Sequence, residues 1–163
     1  MNARSIHDDS HDAWKDHARA TLHDEGFRAG GARSAVIDLL ARQRCCRSAQ
    51  EIWEELHDED AAPGIASVYR AVETLQKLGL VQRVDVGEGV ARYEPALPGG
   101  DHHHHVVCER CGRIVPFSDD GLEQAIESLG ERLGHRVSGH EVVIRGACRR
   151  CEARSGGRRP RRR

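Results

Sequence analysis

Apolar residues recur at helical spacing through the first half of this chain and in short alternating runs through the second. Over residues 13–25, Ala13, Trp14, Ala18, Leu22 and His23 fall near one helical face, and Gly26 ends the pattern. Over 32–43, Val36, Ile37, Leu39 and Leu40 make a broad apolar stripe. Ser48 is an N-cap type with Glu51 three residues on, the spacing of a capping box. A third helix therefore starts there, with Ile52, Trp53 and Leu56 facing inward. Pro63-Gly64 predicts a turn, and residues 66–78 a fourth helix buried through Val68, Val72, Leu75 and Leu78 and closed by Gly79. Leu80 to Val86 and Val90 to Glu94 read as strands joined by Gly87-Glu88-Gly89. Helices followed by a hairpin are the order of a winged helix-turn-helix.

Pro95-Ala96-Leu97-Pro98-Gly99-Gly100 then predicts a linker, and the pattern changes beyond it. Short strands are expected at His103 to Val107 and Arg113 to Phe117. A helix over 120–134 would bury Leu122, Ala125, Ile126, Leu129 and Leu133. Strands at His135 to Val137 and Glu141 to Arg145 complete the second half. The fold expected is α+β: a winged-helix domain over 1–94, a hinge over 95–101, and a small α/β domain over 102–151. Residues 152–163 are expected to be a disordered arginine-rich tail, because Gly156, Gly157 and Pro160 break helix.

Composition narrows the class. Of 163 residues, 38% are hydrophobic and 4% aromatic, so each half can bury only a small core. Metal or partner contacts are therefore expected to supply part of the stability. No apolar run approaches the ~20 residues that span a membrane, and the first residues lack an apolar signal segment. The expectation is a cytoplasmic protein with no membrane contact, where paired cysteines favour metal over disulfide. Residues 149–163 hold eight arginines against one acid, Glu152, a net +7 within a total of −1. The remainder is therefore acidic at −8. The basic end suits loose contact with DNA phosphates or is simply a solvated terminus.

Two Cys-x-x-Cys pairs carry the sharpest chemistry. Cys108, Cys111, Cys148 and Cys151 supply four thiolates in two tight turns, the donor set of a closed, structural Zn2+ site. Just before the first pair stands His102-His103-His104-His105. In a strand, His103 and His105 point one way and His102 and His104 the other, so one block can serve two sites. Ser67, Tyr69 and Arg70 open the fourth helix, where side chains of a recognition helix reach base edges. Arg70 suits guanine O6 and N7, and Tyr69 a thymine methyl or a phosphate. An ordinary amphipathic helix with an exposed Tyr-Arg is the alternative. Arg28 and Arg33 would extend a local basic patch.

These residues resemble the ferric uptake regulator family over about Gly26 to Cys151. The match rests on Ala66-Ser67-Val68-Tyr69-Arg70, the stretch His102 to Gly112, Phe117-Ser118-Asp119-Asp120, His140 and both cysteine pairs. The resemblance implies a homodimer with an N-terminal winged helix and a C-terminal dimerisation domain. It further implies that metal loading closes the dimer onto a double-stranded DNA operator and represses metal-homeostasis genes. By the same resemblance, Glu94, His103, His105 and Cys46 form a regulatory site between the domains, and His102, His104, Glu123 and His140 a second site. The regulatory ion expected is Fe2+ or Zn2+, with Mn2+ a further candidate. A peroxide- or manganese-sensing member of the family is the alternative. No small-molecule substrate is implied beyond metal ions. A zinc-dependent enzyme is the rival class, but neither His-Glu-x-x-His nor the deaminase signature occurs. Two departures stand out. Relatives carry Gly-x-Arg-x-Thr-x-x-Arg where this chain has Gly30 in place of the threonine, which predicts a poorly capped second helix. Cys46, preceded by Cys45, stands where iron-type relatives often have histidine, and so bears on which metal is sensed.

Overall fold

The computed structural model describes residues 5–28, 30–57, 63–87, 89–97 and 103–154. The chain divides into two compact units, Met1–Asp101 and His102–Arg163. The first holds helices α1 (Ser5–Asp24), α2 (Gly31–Arg42), α3 (Ala49–His57) and α4 (Ile65–Lys77), with strands β1 (Arg47–Ser48), β2 (Val81–Val84) and β3 (Arg92–Pro95). The strands pair in the order β1-β3-β2, all antiparallel. The second holds β4 (His104–Cys108), β5 (Ile114–Phe117), α5 (Asp120–Arg132), β6 (Val143–Gly146) and α6 (Arg149–Arg154). Its sheet runs β5-β4-β6, with β4 antiparallel to β5 and parallel to β6. The return to a parallel neighbour requires a long crossover, and α5 lies within it. This is the α+β winged-helix plan expected.

The first unit is built round one apolar cluster. Trp14 and Ala18 of α1, Ile37 and Leu40 of α2, Ile52 of α3, and Val68 and Leu75 of α4 are fully buried in it. Each such Leu or Ile contributes about 1.5–3 kcal/mol relative to exposure. Trp14 also donates from Nε1 to the Leu80 carbonyl at 2.7 Å, which ties α1 to the chain leaving α4. Gly26 and Gly79 close α1 and α4 in the left-handed conformation, at φ of 76° and 69°. After Gly79, the N–H of Leu80 reaches back to Leu75 O and that of Gly79 to Gln76 O, and the last turn is satisfied. The capping box forms: Ser48 Oγ accepts from Glu51 N at 3.2 Å, and the Glu51 carboxylate accepts from Ser48 N at 2.8 Å. Burial raises the Glu51 carboxyl, but the Ser48 N–H and the Arg92 guanidinium outweigh it and hold the group below its ordinary range.

Several expectations need correction. Helix α1 starts at Ser5 rather than 13, and among its described side chains the buried stripe is Trp14, Ala18 and Leu22; Ala13 and His23 are exposed. The wing strands are shorter than expected. Asp85 Oδ1 accepts the Gly87 N–H at 2.7 Å, and this local turn takes residues 85–87 out of the ladder. Pro95 belongs to β3, Ala96 N–H donates to Leu80 O, and Leu97 packs on the core, so these hinge residues belong to the first unit. Residues 98–101 lie outside the described residues.

In the second unit, His135 to Val137 is not a strand. The His135 N–H caps α5 at Gly130 O, 2.8 Å away. The returning chain then crosses so near Gly130 that an added Cβ would meet Val137 Cγ2 at 2.5 Å. Of the expected α5 stripe, Leu122 and Ile126 are half-buried, Ala125 is exposed, and Leu129 and Leu133 stay 46% and 65% exposed. The periodicity is right, but among the described residues nothing in the unit covers this face. Finally, α6 carries Glu152, Ala153 and Arg154, which were expected in a disordered tail, because the helix breakers begin only at Gly156. Residues 155–163 lie outside the described residues. No helix among the described residues is long and apolar enough to cross a membrane.

Candidate metal centres and nucleic-acid interface

Strand β4 delivers Cys108 into a turn whose Gly112 N–H bonds back to Cys108 O at 2.8 Å, which folds Cys111 under it. Strand β6 runs beside β4 and delivers Cys148 to the start of α6, where Cys151 follows one turn on. The four sulfurs lie within 4.8 Å of one another, and Cys111 and Cys148 are 4.0 Å apart. Sulfurs bound at about 2.3 Å in a tetrahedron sit about 3.8 Å apart, so the donor set fits a zinc ion. The Cys148 N–H, donating to Cys108 Sγ at 3.3 Å, leads the backbone donors that draw the Cys108 thiol down to about 6. The neighbouring Cys148 and Cys111 thiols and burial instead push Cys151 up to about 12. A bound cation would stabilise the thiolate form of all four together.

Inside the same unit, three expected ligands meet. His104 on β4 is buried, Glu123 sits in the first turn of α5, and His140 lies on the chain leading to β6. Glu123 is positioned because Asp119 caps α5, accepting the Leu122 N–H at 2.8 Å. His104 Nε2 is 2.8 Å from Glu123 Oε1, and His140 Nε2 is 3.0 Å from Glu123 Oε2. Two imidazoles and a carboxylate with ligand atoms within 4.8 Å suit zinc, ferrous or manganous ion. His102, the fourth candidate, lies outside the described residues. His103 and His105 pack edge to face with ring centroids 4.9 Å apart, and His105 is fully buried.

Two further candidates belong to the first unit. The β1–β3 register pairs Ser48 with Arg92 and Arg47 with Tyr93, and one step further sets Cys46 beside Glu94. Across β3, Gln82 pairs with Glu94 and donates to its Oε1 at 2.7 Å. Cys46, Glu94 and Gln82 therefore form one row on one face of the sheet. The role of Gln82, orienting the Glu94 carboxylate, escaped sequence reasoning; the alternation of a two-stranded wing is the signal that points to it. The Cys45 thiol, burial and the Glu94 charge push the Cys46 thiol well above its ordinary range, while Arg92 opposes them.

Helix α4 presents Tyr69, 47% exposed, and an exposed Arg70 whose Nη2 donates to Ser67 Oγ at 3.2 Å. The opposite face of the helix, Val68, Ala71, Val72 and Leu75, is buried. Arg28 is exposed, while Arg33 lies 4.8 Å over the Phe27 ring. A groove of about 510 Å³ runs between the start of α2 and α4, lined by Arg33, Ser67, Arg70 and Lys77 together with one acid, Glu73. Lys77, which completes this basic edge, was not among the expected residues. Gly30 caps α2 with no side-chain hydrogen bond, as the missing threonine predicted.

The family model described as "Ferric uptake regulator family" matches residues 24–145. The chain is 32% identical over 136 residues to the ferric uptake regulation protein of Neisseria gonorrhoeae, covering 83% of this chain and 93% of that protein. The ferric uptake regulator of Helicobacter pylori has the same fold at a TM-score of 0.75 and 24% identity, covering 87% of this chain and 93% of that one. An iron-containing ferric uptake regulator from Francisella tularensis superposes at a TM-score of 0.67 with 25% identity, covering 78% and 96% of the two chains.

Proposed function

The chain belongs to the ferric uptake regulator family, and from that premise we propose a metal-gated repressor that acts as a cytoplasmic homodimer on a double-stranded DNA operator. The class of function comes with the family, whose members are metal-responsive transcription regulators rather than enzymes. The observation that carries the reading is the division of the histidine block. His104 turns to Glu123 and His140, while His103 and His105 pack against each other.

His103 and His105, with Glu94 and Cys46, form the regulatory site in this reading. The first two belong to one unit and the last two to the other. A bound divalent cation, Fe2+ or Zn2+ with Mn2+ a further candidate, supplies one charge centre that all four can share. Gln82 holds the Glu94 carboxylate in its row, and the β1–β3 pairing holds Cys46 beside it. Ligands from both units restrict the angle between them, and a state favoured by differential affinity gains population by that difference. The angle so selected presents Tyr69 and Arg70 to the major groove, with Ser67, Arg28 and Arg33 near the phosphates. His102, His104, Glu123 and His140 form the second site, and the four-cysteine set holds structural zinc. Exposed Val115 and Ile144, which flank Val106 across the sheet, and exposed Leu129 and Leu133 on α5 are the apolar surface that supports self-association.

The test is an operator-binding titration on the DNA upstream of the protein's own coding region, with metal-replete and chelator-treated protein. Retardation that requires ferrous or zinc ion is the expected result. Binding that ignores metal, or no binding in either state, would overturn the proposal.

A further inference from the structure

Cys45 is the immediate neighbour of Cys46 in sequence and the only other cysteine outside the four-cysteine set. Adjacent side chains on an extended chain point to opposite faces. Here the chain bends at Arg44 and Cys45 before entering β1, and the two sulfurs come within 4.0 Å of each other. That is the separation of Cys111 and Cys148 in the zinc set. It is also near the roughly 3.8 Å that one tetrahedral ion requires between two bound sulfurs.

We propose that Cys45 and Cys46 act together as a two-sulfur chelate, giving the regulatory site a preference for a thiophilic divalent cation, zinc or cadmium, over ferrous iron. The proposal rests on the regulatory site described above and deepens it by naming the class of ion. Cys46 is fully buried and sits in the row with Glu94, whereas Cys45 is half-buried at the bend. Two thiolates and the Glu94 carboxylate carry three negative charges, so a dication leaves one uncompensated. Arg92, buried on the same strand as Glu94, acts electrostatically on Cys46 but also pairs with Glu51 at 2.6 Å, so it offsets only part of that charge. Thiolate pairs discriminate strongly among divalent ions by softness, whereas a carboxylate–imidazole set does so weakly. The Cys45-Cys46 pair therefore changes the metal preference of the site rather than merely adding a ligand.

The experiment uses the full chain with zinc already held by the four-cysteine set, under reducing conditions, and adds Co2+ as the probe. Sulfur bound to cobalt gives a near-ultraviolet charge-transfer band that imidazole and carboxylate do not. The expected result is a further band on cobalt addition that falls by about half in Cys45→Ala and is lost in the Cys45→Ala/Cys46→Ala double variant, as two sulfur donors require. Zinc should outcompete ferrous ion at this site by about 100-fold or more, and by about tenfold less in Cys45→Ala. Cys45→Ser serves as a second variant, and an unchanged melting profile shows that the bend has survived. A band untouched by Cys45→Ala but lost in Cys46→Ala would overturn the chelate and leave the single-sulfur regulatory site standing. No additional band beside intact metal-dependent operator binding would overturn it too. Loss of metal-dependent operator binding in the unmodified protein would remove the regulatory site itself.

Discussion

In the first unit Trp14, Ile37, Leu40, Ile52 and Leu75 are wholly removed from water. In the second, Leu133 and Ile144 are 65% and 47% exposed, and the buried side chains among the described residues are Val107, Cys108, His104 and His105. A helical bundle with a wing can close an apolar core by itself. Three short strands with α5 and the short α6 do not, and in the second unit histidine and cysteine side chains fill much of the buried space instead. Its fold and its metal chemistry are therefore one matter, whereas the first unit can change its surface without changing its core.

The comparison breaks most visibly at the four cysteines. Cys108→Ser should release the structural zinc and unfold the second unit, a loss on the order of 10 kcal/mol of metal-linked folding free energy. Both tryptophans, Trp14 and Trp53, lie in the first unit. Tryptophan emission should therefore stay native while far-ultraviolet dichroism and bound zinc fall. Simultaneous loss of emission would show that the units do not differ as described. The converse variant is Ile37→Ala, which should cost the first unit about 2–5 kcal/mol through its cavity and leave zinc content unchanged.

A smaller effect sharpens the surface side of the contrast. Arg70→Ala leaves Val68, Val72 and Leu75 in place, so melting should hold. Operator discrimination should fall by about 1–3 kcal/mol, the worth of a bidentate guanine contact. An operator-over-scrambled affinity ratio unchanged by the substitution would remove Arg70 from base reading.

The two units also differ in how far the sequence revealed them. Glycines at helix ends, the Ser48–Glu51 box and the stripe of α2 are local signals, and each forms where the spacing puts it. The segment after α5 deceived because what decides it is non-local. Val137 packs against Gly130, and the His135 N–H goes to a helix carbonyl rather than a neighbouring strand. The α5 stripe has correct periodicity, but periodicity does not say whether the covering surface belongs to the same chain. In the candidate sites, alternation along β4 anticipates that His104 parts from His103 and His105. The bond from Gln82 to Glu94 and the turning of Cys45 toward Cys46 depend on strand register and a bend that residue types alone do not specify.

The most direct test of the central claim, that one histidine block serves two sites, is a pair of operator titrations against free zinc and ferrous ion. His105→Ala should shift metal-dependent operator binding to higher metal by about tenfold or more, with the dimer and its cysteine zinc retained. His104→Ala should leave that midpoint within about threefold, because its ring meets Glu123 and His140 instead. Identical metal and DNA profiles for the two variants would contradict the account.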